Sequence, residues 1–172
     1  PFGKDINLIV TSDHGMATVS ADRFVPIKHL LNEKWYTLID GNLPAQIYTK
    51  PEYRDSICNA LKKAAHIRVW KKEEIPAELH YGSSDRIGDI VVAPELGWQF
   101  TDVARDTKGA HGYFPQSPDM QVMFRAIGPD FKRGYISEGF VNVDIYPLLS
   151  HLLQIVPEKT DGRFERIKDI LR

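Results

Sequence analysis

Asp13 and His14 stand side by side at the end of LIVTSDHGM (residues 8–16), and Gly15 follows at once. A carboxylate oxygen beside an imidazole nitrogen is a suitable ligand pair for Zn²⁺, with Mn²⁺ or Fe²⁺ as other fits. Taken alone, the same dipeptide also reads as an aspartate capping a turn next to a loop histidine, which is the commoner circumstance. A second histidine, His111 in KGAHGYF (108–114), sits among Gly109, Ala110 and Gly112. Small residues around a histidine let backbone and ligand approach closely. It too has an ordinary alternative, a glycine-rich turn with its histidine in water. No local spacing rule joins His14 to His111, so only a tertiary fold can bring them together.

The elements around these residues follow from periodicity. INLIVT (6–11) is apolar throughout and reads as a strand covered on both faces, as in a parallel sheet. Adjacent strand residues point to opposite faces, so Asp13 and His14 converge only if the backbone bends, and Gly15 is expected to allow that bend. VPIKHLLNEK (25–34) suits a short helix with Pro26 in its first turn. WYTLID (35–40) and AQIYTK (45–50) read as strands of a hairpin, joined through Gly41, Asn42 and Pro44. A helix is expected over 51–65, with Tyr53, Ile57, Ala60, Leu61 and Ala64 on one face. Further strands are expected at 67–72, 89–94 and 120–128, with a short extended stretch at 97–100. The last helix is expected within 141–156, with Asn142 as N-cap and Ile145, Leu148, Leu149 and Leu152 on one side. Strands interleaved with helices argue an α/β layered architecture. In open α/β sheets ligands gather beyond the carboxyl ends of strands, where Asp13 and His14 are expected.

Composition sets broad limits. The chain is long enough for one domain with a real core. A net charge of −1 gives no polyanion-binding character, and the Lys62–Lys63 and Lys71–Lys72 pairs read as solvated faces rather than a nucleic-acid patch. No apolar run approaches the roughly 20 residues of a membrane helix. A single cysteine, Cys58, excludes an internal disulfide framework and a cysteine-rich zinc module. PFGKD leads almost directly into a buried-looking strand, from which a piece of a longer protein is expected.

Four stretches, IVTSDHGM, GSSDRIGDIVVAPELGW (82–98), KGAHGYFPQSPDMQVMFRAIGPDFKRG (108–134) and FVNVDIYPLLSHLLQIVPEKTDG (140–162), occur in the order seen in the nucleotide pyrophosphatase/phosphodiesterase family of the alkaline phosphatase superfamily. The sequence resembles that family over nearly its whole length. The hairpin, the 51–65 helix and the 67–72 strand are expected to form a small α+β lobe, over residues 35–75, inserted between the first strand and the later core elements. The resemblance implies an alkaline-phosphatase-like layered α/β sandwich, here partial. Residues 1–172 would then be the C-terminal part of a single catalytic domain. It also implies a site with two zinc ions, in which Asp13 and His14 bind the metal that contacts the nucleophile and His111 binds the second. The family's Thr nucleophile and its remaining Asp and His ligands belong to motifs that no stretch of this sequence matches. The nucleophile is therefore expected upstream, no catalytic residue is assigned here, and the missing N-terminal half of the same domain is the expected partner. Two metals about 4 Å apart hold the attacking and leaving oxygens of an in-line phosphoryl displacement. The substrate implied is a small nucleotide or other phosphodiester, and the location extracytoplasmic, either periplasmic or at the cell surface or secreted. The alternatives are another superfamily phosphohydrolase (a phosphomonoesterase, a phosphonate hydrolase or a phosphoglycerate mutase) and a non-catalytic relic or binding module that keeps half a site.

Other polar residues have duller readings. Thr11 is expected to end its strand and Ser12 to satisfy a turn. Tyr113 reads as aromatic packing, with lining of the site or stacking on a base as the alternative. His29, His66 and His80 are expected at the surface, and His151 as a hydrogen-bonded core histidine. Asp144 is placed to interact with the dipole of the last helix, and Asp89 is expected to be structural.

Overall fold

The computed structural model describes residues 5–172. Residues 1–4, on which the expectation of an abrupt start rests, lie outside the described residues. In chain order the elements are β1 (Leu8–Thr11), β2 (Ala17–Thr18), β3 (Phe24–Val25), β4 (Tyr36–Gly41), β5 (Ala45–Thr49), α1 (Arg54–Leu61), β6 (Ile67–Lys71), β7 (Ile90–Pro94), β8 (Gln99–Phe100), β9 (Gly109–Ala110), β10 (Phe124–Ile127) and α2 (Ile145–Leu152). Helix and strand are mixed along the chain, which divides into two compact units.

The larger unit, His14–Gln121, is built on a four-stranded sheet of order β4-β5-β7-β6. Every pairing in it is antiparallel. The β4–β5 hairpin forms where the turn residues predict it, with Gly41 opposite Ala45. The sheet takes in Ile90–Pro94 as well as the strands between 36 and 71. Ile57 and Leu61 of α1 are fully buried on the face the periodicity predicts, and Cys58 joins them. They pack with Ile47, Ile90 and Val92 of the sheet in one apolar cluster. The predicted helix over 25–34 is instead two 3₁₀ turns, Ile27–Leu30 and Glu33–Trp35. Asn32 breaks it, because its side chain accepts from the Lys34 amide and caps the second turn. Asp89 is structural, as expected: its Oδ2 accepts from the amide and the hydroxyl of Thr49.

The smaller unit joins the segment ending at Asp13 to Val122–Arg172. Here β1 pairs antiparallel with β10, Leu8 opposite Ile127 and Thr11 opposite Phe124. The sequence pointed to a strand covered on both faces, yet Leu8 is 55 % exposed and Val10 43 %. An apolar run records an affinity for burial, not the direction or identity of its neighbour. Strand β10 is also shorter than the predicted 120–128, because Pro118–Met120 forms a 3₁₀ turn with proline in its first positions. Helix α2 covers the middle of its predicted span and follows a 3₁₀ turn at Asn142–Asp144. Asn142 is not its N-cap; its side-chain amide donates to the Asp13 carbonyl at 3.2 Å. Leu148 of α2 packs with Phe131, Ile167 and Ile170 in a core of its own.

Candidate functional site

Within the larger unit, a short antiparallel ladder puts the two histidine segments side by side. Ala17 of β2 faces Ala110 of β9, Thr18 faces Gly109, and the Val19 amide continues the ladder by donating to Lys108 O at 3.2 Å. Ala17 and Ala110 are buried, in a cluster with Val19 and Tyr113. His111 leaves the end of β9 as His14 approaches the start of β2. Their imidazole rings lie face to face, with centroids 3.6 Å apart and planes 15° from parallel. His14 is half-buried and His111 exposed.

The glycines around them answer to different demands. Gly112 has φ +97°, a left-handed backbone that side chains seldom adopt, and a Cβ there would stand 2.3 Å from the Leu43 carbonyl oxygen. Gly15 was expected to allow a bend, but its backbone is not left-handed. Space is what it needs: a Cβ on Gly15 would fall 2.0 Å from the Asp119 carbonyl oxygen. The Gly15 amide donates to Met120 O at 3.1 Å, so the chain passes directly against the 3₁₀ turn at Pro118–Met120.

His14 Nδ1 lies 2.9 Å from the carbonyl oxygen of Gly15. A carbonyl only accepts, so this nitrogen is the donor in that contact. The acceptor is a main-chain group one residue away, which no residue type advertises. Tyr113, buried beside the pair, donates its hydroxyl to Trp98 O at 2.9 Å. It is therefore packing, and burial pushes its phenol above the ordinary value.

Asp13 belongs to the smaller unit, where it is exposed. The Ser12 hydroxyl lies 3.4 Å from its Oδ1. Thr11 ends its strand, as predicted, with its hydroxyl donating to Met123 O at 3.1 Å. Asp144 is fully buried; its carboxylate accepts from the Arg163 amide and is gripped by the Arg166 guanidinium at 2.6–3.1 Å. His151 is exposed rather than core, and stacks on Phe164 at 4.5 Å. His29, His66 and His80 are exposed, as expected, with His66 stacked on Trp98.

The donor chemistry at the histidine pair fits zinc in part. Among the described residues no group of three or more His, Cys, Asp or Glu side chains is arranged around a single metal. Two imidazoles are nonetheless in contact, and Nδ1 of one lies against a carbonyl oxygen. A zinc–nitrogen bond is about 2 Å long and lies near the ring plane. Stacked, nearly parallel rings do not direct their in-plane lone pairs at a common point.

Comparison with known proteins places the chain. The family model for type I phosphodiesterase / nucleotide pyrophosphatase matches residues 2–114. Human ectonucleotide pyrophosphatase/phosphodiesterase family member 5 is 37 % identical over 169 residues, covering 96 % of this chain and 35 % of that protein. Bovine bis(5′-adenosyl)-triphosphatase ENPP4 is also 37 % identical, over 98 % of this chain and 37 % of its own length. The solved structure of human ENPP5 superimposes with a TM-score of 0.91 at 35 % identity, over 98 % of this chain and 46 % of that one. A murine ENPP5 structure, inactive and in complex with AMP, gives 0.90 at 36 % identity. The chain spans less than half the length of each of these proteins.

Proposed function

The chain belongs to the type I phosphodiesterase / nucleotide pyrophosphatase family, and from that premise we propose that it forms part of a hydrolase of phosphodiester or pyrophosphate bonds, with nucleotides or related small phosphodiesters as substrates. The face-to-face contact of His14 and His111 carries this reading. Residues far apart in sequence meet here, and two adjacent imidazoles are donors of the kind a two-metal phosphoryl-transfer site uses.

In this reading His14 gives a ring nitrogen to one zinc and His111 gives one to a second. Asp13 is assigned to the same ion as His14 on the family resemblance alone. Zinc, when bound, supplies Lewis-acid stabilisation of the phosphoryl oxygens and lowers the pKa of a coordinated hydroxyl. The chain's own residues hold and orient. The Gly15 carbonyl accepts from His14 Nδ1, and the β2–β9 ladder holds the two rings at their spacing. The Thr nucleophile and the remaining ligands are assigned to a segment of the same domain that this chain does not contain. The "ecto" in the name of the human relative supports an extracytoplasmic location. No helix among the described residues is long and apolar enough to cross a membrane.

The test is His111→Ala in the full-length protein. Bound zinc should fall by about one ion per site, and hydrolysis of a nitrophenyl nucleotide diester should drop by more than the roughly 10- to 100-fold that losing an outer-shell partner costs. Unchanged zinc content and rate would remove His111 from the ligand set and the two-ion reading with it.

A further inference from the structure

Strand β6 turns its two faces to different neighbours. Ile67 and Val69 pack against the apolar cluster that α1 shares with the sheet. Arg68 and Trp70 alternate with them and so stand on the opposite face. There they meet Phe114, which follows His111 by three residues. The Arg68 Cζ lies 4.6 Å from the centre of the Phe114 ring. The Trp70 indole meets the same ring edge to face, with centroids 6.0 Å apart and planes at 71°. The stretch from His111 to this cluster is fastened on its way. Gly112 passes against the Leu43 carbonyl, and the Tyr113 hydroxyl donates to Trp98 O at 2.9 Å. Arg68 is exposed, and Trp70 and Phe114 are half-buried. Among the described residues no carboxylate pairs with the Arg68 guanidinium.

We propose that Arg68, Trp70 and Phe114 form a leaving-group subsite, which takes the nucleotide that departs when a dinucleoside polyphosphate is cleaved. The inference rests on the reading of the His14–His111 pair as part of a phosphoryl-transfer site, and adds to it a preference among substrates. Phe114 covers the face of the guanidinium, which leaves the N–H edge to grip a phosphate with two hydrogen bonds. A nucleobase presents a flat π-face that aromatic rings accept whatever the base. Reach is sufficient as well. Three residues of extended chain span at most about 11 Å, so the backbone of Phe114 is no farther than that from His111, a gap a polyphosphate chain can bridge. The reaction itself is unchanged. The phosphorus–oxygen bond to the departing nucleotide breaks, and water supplies a hydroxyl to the retained phosphoryl group and a proton to the half that leaves. The subsite holds that half and takes no part in the bond changes.

The test compares two substrates in the full-length protein. Diadenosine tetraphosphate releases a nucleotide with its base and phosphates, whereas a nitrophenyl ester of thymidine monophosphate releases nitrophenol, without base or phosphate. The readout is the ratio of kcat/KM for the first over the second, so a general loss of activity or of folded protein cancels. Arg68→Ala should lower that ratio by about 10-fold or more, the scale of a lost hydrogen bond between charged groups, and chiefly through KM. Arg68→Lys should recover part of it, because lysine keeps the charge and lacks the planar fork. Phe114→Leu should lower the ratio too, through lost stacking and a loosened guanidinium. A ratio equal to the parent's in Arg68→Ala and Phe114→Leu would overturn the subsite and make the stack a fold contact only, whatever happened to the two rates separately. So would a parent that cleaves the nitrophenyl ester and leaves the tetraphosphate intact. The hydrolase reading fails differently: a zinc-loaded parent that cleaves neither substrate would remove it, and the subsite with it.

Discussion

Single residues in this chain are held by partners that their types alone do not reveal. Asp144 stands at the N-terminal end of α2, where a helix dipole favours a carboxylate. Its oxygens are nevertheless used by Arg163 and Arg166, and it is wholly buried. The pair fastens the segment after residue 160 onto the helix. Asp144→Ala should therefore destabilise the protein by about 3 kcal/mol, the low end for a broken buried pair, because Arg166 is partly exposed and can rehydrate. Urea denaturation measures this, and a loss under about 0.5 kcal/mol, the level of an ordinary surface change, would show that the clasp carries little. The sequence offered Asp144 as a helix-end residue; nothing in its spacing pointed to an arginine 22 positions later. The same holds for His14, whose orienting partner is a carbonyl and so belongs to no residue type at all.

Among the elements, α1 and its sheet were the best foreseen, because their information is periodic. Ile57 and Leu61 lie one turn apart and share the buried face, and β4 and β5 meet through a turn spelled out in glycine and proline. Ion pairs tie the exposed side of α1 to the end of β6 and the 3₁₀ turn after it. Arg54 pairs with Glu73, and Lys71 with Asp55 at 2.6 Å. The hydrogen bond from Arg54 holds the Glu73 carboxyl below its ordinary value, and that from Lys71 does the same for Asp55. A carboxyl lowered in the folded state stabilises at pH above its unfolded value and loses that contribution as pH falls through the folded one. The melting temperature of Asp55→Asn/Glu73→Gln should thus lie slightly below the parent's at pH 7. The gap should close as pH drops below about 4, the ordinary carboxylate range. A gap of constant size from pH 7 to pH 2 would mean that charge is not its source. Elements short of one turn or one ladder were less visible. The helix expected over 25–34 gave way to two 3₁₀ turns, since one asparagine cap outweighs a weak apolar pattern.

At the scale of the whole molecule, the chain carries part of an alkaline-phosphatase-like α/β fold, matched over 98 % of its length by ENPP5. It corresponds to 46 % of that chain. In the proposed reading, two imidazoles and a carboxylate are half a ligand set and the nucleophile lies elsewhere. The isolated chain with added zinc should then leave a nitrophenyl nucleotide diester unhydrolysed, whereas a longer protein that also contains the Thr motif should turn it over. Robust hydrolysis by the isolated chain would end the division of the site between two segments.

The sequence by itself determined the family, the order of the main strands and helices and the face α1 buries. Those features are local patterns or short motifs, so they can be read one segment at a time. Tertiary structure alone decided that His14 and His111 lie ring against ring, that Gly15 is glycine for want of space, and that β1 runs antiparallel to β10. Each of these is a contact between distant segments, and its energy exists only once the chain between them has folded.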